Sequence, residues 1–454
     1  MHSMHSADTA ADYHHPEIIL QKLIRFDTTN PPGNENACME YIAGLLKQSG
    51  IEPVLIAKDP GRPNLIARLK GSHSAPPLLL YGHADVVTTE KQVWRHPPFE
   101  GKIADGFVWG RGALDMKGML AMMAAALLRA KAENLKPAGD VVFAVLSDEE
   151  SGGNFGARYL VENYPEQFSG IRYAIGEFGA AAIYVGRQKF YPIQVAEKQI
   201  CWIEATVRGP GGHGSLPLKD SAMSKMAGFI NKITSDGLPP HITDVPRQMV
   251  RTIAAAMPAP AGLVLRQLLN PVLTKTVLKL LGAKGDKFKP LLFNTINPTV
   301  VRGGGKINVI PSEISLKLDC RLLPGVTPED LIAELRQATG TDMAIDIIRH
   351  DPALSKPDLG MFGLLADILR EADPDGIPVQ MLLPGATDGR FFSRLNIQTY
   401  GFTPMNLSPG FDFFSTIHAA DERVPVDALH FGANTIFRLL QRYGETETPY
   451  IKTN

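Results

Sequence analysis

Val141-Val142-Phe143-Ala144-Val145-Leu146-Ser147-Asp148-Glu149-Glu150-Ser151 is a short apolar run with three acidic residues directly off its end. Pro137-Ala138-Gly139 precedes it and Gly152-Gly153 follows, so it is punctuated like a strand and is too short for an independent helix. In open α/β sheets, ligands gather beyond the carboxyl ends of strands. The run therefore reads as a buried strand that empties into a negatively charged site. Neighbouring residues of an extended chain point opposite ways, which predicts different roles for Glu149 and Glu150.

The same pattern recurs on both sides of this stretch. Residues 53–57, 64–70 and 77–81 read as strands, the last ending at Gly82-His83-Ala84-Asp85. Gly110-Arg111-Gly112-Ala113-Leu114-Asp115 leads into a helix over 119–132, so dense in Ala, Met and Leu that burial on most sides is expected. Downstream, a helix over 157–164 and a strand over 171–175 lead to Gly176-Glu177. Polar residues thus sit repeatedly at strand ends.

Around Arg187 the pattern of the chain changes. Strands at 198–208, 313–321 and 343–349, with helices at 219–234 and 328–337, have the order of a small α+β sandwich inserted beside the main body. Within the insertion, 241–290 is a Pro-interrupted apolar run expected to form two or three short helices that serve packing or subunit contact. From Pro357 the pattern of the main body returns, with a strand near 379–383, then Gly385-Ala386-Thr387-Asp388-Gly389-Arg390, a strand at 398–402 and a final helix over 426–441. The expected partition is residues 1–186 and 353–454 as two parts of a catalytic domain, and 187–352 as the inserted domain.

Composition narrows the function. A chain of 454 residues exceeds what one hydrophobic core usually covers. A net charge of -1 offers no basic footprint, so no nucleic-acid partner is expected. Cys38, Cys201 and Cys320 form no CxxC pair, which excludes a thiolate zinc site and a disulfide framework and fits the cytoplasm. No stretch reaches the roughly 20 apolar residues of a membrane helix, and the N-terminal Met1-His2-Ser3-Met4-His5 region lacks the apolar core of a leader, so no membrane partner is expected. Gly110-Arg111-Gly112 is followed by Asp115 where a dinucleotide loop needs glycine, and no phosphate-binding GxxxxGK loop exists.

His83, Asp85, Asp115, Glu149, Glu150 and Glu177 collect at predicted strand ends, with His418 in Ser415-Thr416-Ile417-His418-Ala419-Ala420-Asp421-Glu422 as a further candidate. One such residue alone is more often a capping or surface group; the recurrence is the signal. Imidazole and carboxylate without thiolate is the donor set of catalytic zinc and related divalent metals. Two zinc ions on His83, His418, Asp115, Glu150 and Glu177 would meet three carboxylates, and a bound hydroxide would bring the site close to neutral. Coordination lowers the pKa of water to about 7. Asp115 would bridge the ions. Asp85, two residues from His83 on the same face, would orient the imidazole. Glu149, facing away, is the expected general base and later the acid toward the leaving amine. Asp148 reads as a turn residue.

Thr29-Asn30-Pro31-Pro32-Gly33, Tyr81-Gly82-His83-Ala84-Asp85, Trp109-Gly110-Arg111-Gly112-Ala113-Leu114-Asp115-Met116-Lys117-Gly118, Asp148-Glu149-Glu150-Ser151-Gly152, Gly211-Gly212-His213-Gly214-Ser215 and the His418 segment follow one another along nearly the whole chain. In this series the chain resembles the di-zinc metallopeptidase family of aminoacylases, glutamate carboxypeptidases, acetylornithine deacetylases and succinyl-diaminopimelate desuccinylases. The resemblance implies an α/β fold: a mixed-sheet, zinc-exopeptidase-like catalytic domain with an inserted ferredoxin-like lid that often makes the dimer contact. It implies one metal at His83, Asp115 and Glu177, the other at Asp115, Glu150 and His418, and Glu149 as base. It adds His213 as a donor to the tetrahedral oxyanion, reaching the neighbouring subunit's site in dimeric members. Arg390 resembles the arginine that grips a substrate carboxylate, and Asn308 in Lys306-Ile307-Asn308-Val309 a substrate contact from the lid. Glu at 177 leans toward the acylase and carboxypeptidase side. Phe178-Gly179 and the long 241–290 segment depart from the pattern of many relatives.

The expected protein is a cytoplasmic homodimer with two divalent ions, zinc first and cobalt or manganese next. It would hydrolyse the amide bond beside a free carboxylate in a small peptide or N-acyl amino acid. An aminopeptidase or dipeptidase of the same family is the alternative. A non-catalytic binding protein on the same fold is the alternative from another class, and the intact ligand and base positions argue against it.

Overall fold

The computed structural model describes residues 12–445 except 236 and 342; the expectations for the N-terminal stretch, including His2 and His5, lie outside the described residues. The chain divides into two compact units. The first holds residues through Val195, 358–381 and those from Thr387 onward, and the second holds 196–357 and 382–386.

Among the described residues, nine strands form one mixed sheet. In order across it lie Pro53–Ala57, Pro63–Leu69, Val141–Leu146, Leu78–His83, Tyr173–Gly176, Gln398–Gly401, Gln188–Glu197 and Gly376–Leu383, with Ile183–Val185 paired to Gln188–Glu197. Val141–Leu146, Leu78–His83, Tyr173–Gly176 and Gln398–Gly401 run parallel to one another. Parallel strands are covered on both faces, which is why they read as unbroken apolar runs. Every residue of Val141–Leu146 and Leu78–His83 is buried. Their register ends with His83 level with Leu146, so the two polar segments leave the sheet side by side.

Lys117–Ala132 is the helix expected from its Ala, Met and Leu content, buried along nearly its whole length between Pro16–Ile24, Val426–Arg442 and Leu78–His83. Gly432 lets the C-terminal helix come this close, since a Cβ there would lie 1.9 Å from Met122 Sδ.

The first boundary between units differs from the expected 186/187 and lies at Val195/Ala196, while the second lies at Pro357/Asp358 rather than 352/353. The physical reason is the strand Gln188–Glu197, whose Phe190, Tyr191, Ile193 and Val195 are buried in the large sheet.

The second unit is built on a four-stranded sheet ordered Thr295–Arg302, Glu313–Leu322, Gln199–Arg208, Ala344–Asp351, antiparallel throughout. Ala222–Ser235 and Pro328–Thr339 pack on it, and the chain order strand, helix, strand, strand, helix, strand is ferredoxin-like. Glu313–Leu322 alternates buried and partly exposed residues, as a one-sided strand must. A capping box starts Pro328–Thr339: Thr327 Oγ1 accepts from Asp330 N at 3.1 Å, and Asp330 Oδ2 accepts from Thr327 N at 3.0 Å. Thr295–Arg302 carries Pro298 and is largely exposed, features of an edge strand that hide it from an apolar-run reading. The 241–290 segment is cut into more pieces than expected: Asp244–Ala256, Ala261–Arg266, Thr274–Leu281 and Ala283–Asp286, with Lys289–Leu292 at its end. Pro258, Pro260, Pro271 and Gly282 lie between those pieces. No helix among the described residues is long and apolar enough to cross a membrane.

Lys198 is buried in this unit, with Nζ donating to the Phe293 carbonyl at 2.9 Å and to Thr295 Oγ1 at 3.1 Å. Burial, aided by the charge of Arg321, lowers its pKa from 10.5 to about 7. Between those two values the unfolded chain holds a proton that the folded chain lacks, so this group makes stability rise with pH across that window. Thermal melts at pH 7, 8 and 9 are expected to show this rise in the wild type and a flatter profile in Lys198→Met. Parallel profiles would contradict the assignment.

Candidate metal centre

The carboxyl ends of three parallel strands open onto one edge of the large sheet. Leu78–His83 delivers His83 and Asp85, Val141–Leu146 delivers Asp148, Glu149 and Glu150, and Tyr173–Gly176 delivers Glu177. Asp115 lies in the loop just before the buried helix Lys117–Ala132. His418 lies between the short helix Phe413–Thr416 and the strand Arg423–Pro425.

These residues converge. His83 Nε2 is 3.0 Å from Asp115 Oδ1 and 3.5 Å from Glu177 Oε2. His418 Nε2 is 3.2 Å from both Asp115 Oδ2 and Glu150 Oε1. Asp115 therefore turns one oxygen to each imidazole. His83, Asp115 and Glu150 offer donor atoms within 4.8 Å of one another, and so do His83, Glu149 and Glu177.

Asp85 ties the parts together. His83 Nδ1 is 3.0 Å from the Asp85 carbonyl oxygen and 3.5 Å from its Oδ1. A carbonyl only accepts, so Nδ1 carries the proton and Nε2 is left as the ligating nitrogen. The Asp85 carboxylate accepts from Glu149 N and Glu150 N, each at 3.1 Å. Glu149 and Glu150 diverge for a reason other than strand alternation: Glu149–Ser151 is a turn of 3-10 helix, entered through Asp148 at φ +69°. The extended-chain premise is thereby corrected, because the strand stops at Leu146.

The electrostatics are those of too much acid in too little water. Burial, aided by the Glu177 charge, pushes the Glu149 carboxyl well above its ordinary range. It also raises Glu150, lifts Glu177 to about 8 and lifts Asp388 to about 7. Burial opposes a charged His83, but Asp115, Asp85 and Glu177 outweigh it and raise the imidazole well above its usual value. Hydrogen bonds to Asp115 and Glu150 raise His418 to about 10. Burial likewise opposes an ionised Asp115, yet His418 and His83 hold its carboxyl low. Carboxylates and imidazoles that push one another's pKa values this way mark a place that suits a multivalent cation.

Several residues here escape sequence reasoning. Asp148 is no simple turn residue: its carboxylate accepts from Asn30 Nδ2 at 3.1 Å, Arg62 Nη1 at 3.2 Å and Phe155 N at 3.2 Å. Arg62 also pairs with the fully buried Glu35 at 2.7 Å. Asn30 reaches Asp85 Oδ2 at 2.8 Å, which gives the Thr29-Asn30-Pro31-Pro32-Gly33 motif a structural purpose. Asp388 is buried near Arg390 with neither oxygen hydrogen-bonded among the described residues. Asn30, Asp148 and Asp388 stand inside stretches that the sequence singles out, which is the signal that could flag them; Arg62 and Glu35 carry none.

Arg390 is buried, donates to the Thr387 carbonyl at 2.6 Å and lies 3.8 Å from Glu149 Oε1. In the second unit His213 and Asn308 are neighbours: His213 pairs with Val309 across a short ladder, and Gly214 N donates to the Asn308 carbonyl at 2.8 Å. At the Phe178-Gly179 departure both residues have left-handed backbone, φ +61° and +68°, and a Cβ on Gly179 would meet the Gly401 carbonyl of the neighbouring strand at 2.1 Å.

Comparison with known proteins agrees with this architecture. Peptidase family M20/M25/M40 matches residues 79–442. The chain is 27% identical to a probable carboxypeptidase S-like protein of Dictyostelium discoideum, over 80% of this chain and 71% of that one. It is 24% identical to aminoacylase-1 of Sus scrofa, over 90% and 91%. A crystal structure of a metallo-carboxypeptidase from Sulfolobus solfataricus superposes with a TM-score of 0.68 at 18% identity, covering 95% of this chain and 99% of that one.

Proposed function

The chain belongs to peptidase family M20/M25/M40, and on that premise we propose that this hydrolase cleaves the amide bond beside a free carboxylate in an N-acyl amino acid or small peptide. The observation that carries the reading is Asp115, with one oxygen toward each of two imidazoles and further carboxylates crowded around them. This donor set fits two divalent ions. His83, Asp115 and Glu177 would hold one, and Asp115, Glu150 and His418 the other; oxygen and imidazole donors favour zinc, with cobalt or manganese as substitutes. When bound, such a pair supplies Lewis acidity that polarises a carbonyl and acidifies water.

The chain's own groups do the rest. Glu149, held by the bond from its backbone N–H to Asp85, takes a proton from the attacking water and returns it to the leaving amine. Asp85 also fixes the tautomer of His83. His213 donates to the developing oxyanion, as the charge on the carbonyl oxygen requires. Arg390 grips the substrate carboxylate through its planar fork, and Asn308, beside His213, is a further substrate contact. The names of the aminoacylase and carboxypeptidase S-like relatives favour this substrate class. Homodimers through the second unit, in the cytoplasm, complete the reading; three free, buried cysteines suit a reducing compartment.

A panel of N-acyl amino acids and unblocked dipeptides tests it. The zinc- or cobalt-loaded protein is expected to hydrolyse N-acyl amino acids, to lose that activity on exhaustive chelation and to regain it with metal. Turnover that survives chelation would sink the scheme, and a strict need for a free amine would move the chain to the aminopeptidase or dipeptidase side.

A further inference from the structure

We propose that the buried ion pair of Arg111 and Glu422 is a clamp that positions the Asp115–Glu150–His418 half of the centre; the inference rests on the two-ion reading above. Both side chains are fully buried, and Arg111 Nη1 donates to Glu422 Oε2 at 2.5 Å across 311 residues of sequence. Neither residue is among the donor groups. Each grips one of the loops that carry them.

On one side, Glu422 Oε1 accepts from Leu114 N at 2.8 Å and from Asp115 N at 3.2 Å, which fixes the backbone of the residue shared by the two ion positions. On the other, Arg111 donates to the His418 carbonyl at 3.1 Å and to the Ala419 carbonyl at 3.2 Å. Gln92 completes the frame by donating to the His418 carbonyl at 2.9 Å and accepting from Arg111 Nη2 at 2.8 Å. The Arg111 guanidinium also lies over the Trp94 ring, 5.2 Å from its centroid.

His418 needs this support. Its backbone has φ +61°, a left-handed conformation that L residues rarely adopt, and its side chain is 45% exposed on a loop. Two donors on its carbonyl hold that conformation. His83 and Glu177 differ, because one ends and the other directly follows a fully buried strand of the large sheet. The clamp therefore bears on the Glu150–His418 position through both loops, and on the His83–Glu177 position only through the shared Asp115. Arg111 and Glu422 are positioning residues. The role also explains Gly110-Arg111-Gly112, which resembles a nucleotide loop only in spelling.

Zinc titration of the full chain against a chromophoric chelator tests the clamp. Wild type is expected to bind two ions. Arg111→Lys keeps the charge but not the fork, and Glu422→Gln keeps the shape but not the charge. Each is expected to weaken the ion beside Glu150 and His418 about 10- to 100-fold, the usual effect of removing a group that orients a ligand, and to weaken the other, which shares only Asp115 with the clamp, by a clearly smaller factor. Gln92→Ala, at a partly exposed position, guards against misfolding of the buried variants and is expected to weaken the same ion by a smaller factor without a change in melting temperature. Unchanged affinities in folded variants, or equal weakening of both ions, would overturn the clamp. A wild-type chain that binds fewer than two ions would instead overturn the two-ion reading itself, a result visible before any variant is made.

Discussion

Glu149→Gln is expected to lower kcat by about a hundred- to ten-thousandfold while leaving metal content and KM nearly unchanged, the range that a lost general base commonly spans. Glutamine keeps the shape, so the turn of Glu149–Ser151 and the bonds from Glu149 N and Glu150 N to Asp85 survive. What disappears is the ability to take a proton from water. Single-turnover and steady-state rates, beside metal analysis of the same sample, measure this. A variant that keeps about a tenth or more of wild-type kcat, a loss about tenfold smaller than the least a general base supplies, would remove Glu149 from the mechanism. Loss of metal together with rate would make Glu149 a ligand instead, an outcome its place in a cluster with His83 and Glu177 makes worth measuring.

Arg62→Met should be the most damaging change outside the centre, lowering unfolding free energy by about 3–5 kcal/mol, as breaking a buried ion pair from one side does. Arg62 bonds Glu35 through both Nε and Nη2, and it reaches Asp148, so its loss leaves two buried carboxylates without their cation. Gly33 leaves the space the guanidinium fills, since a Cβ there would lie 2.2 Å from Arg62 Cζ. Denaturant unfolding compares wild type, Arg62→Met, Glu35→Gln and the double variant. The double variant should lose less than the two single losses added, because the partners share one interaction. A loss below about 1 kcal/mol for Arg62→Met would show the pair to behave like an exposed one. Asp148 directly precedes Glu149, so this pair also anchors the turn that presents the base.

How much of the molecule is legible in its sequence follows from the range of the interactions. Val141–Leu146 and Leu78–His83 announce themselves because a parallel strand buried on both faces must be apolar throughout. His83, Asp115, Glu149, Glu150, Glu177 and His418 are legible as a set because each stands at a strand end or inside a spaced motif. Their convergence is an expectation to which the distances give geometry. Asp148, Arg62 and Glu35 are not legible, because a buried charge is explained only by a partner, and these partners are brought together by the fold. The same holds for Arg111 and Glu422. Gln188–Glu197 escapes because its polar residues mask a pattern that only the neighbouring strands reveal. In the second unit the helical positions are clear from periodicity, whereas the edge strand Thr295–Arg302 and the subdivision of 241–290 depend on local breaks that periodicity does not weigh.

The central claim is that His83, Asp115, Glu150, Glu177 and His418 hold two divalent ions. Anomalous diffraction at the zinc edge, from crystals of the zinc-loaded chain, tests it most directly. The expected result is two peaks about 3.5–4 Å apart, the usual spacing of a two-metal site, one beside His83 and Glu177, the other beside Glu150 and His418, with Asp115 between them. No peak at these residues, or a single peak elsewhere in the chain, would contradict the account.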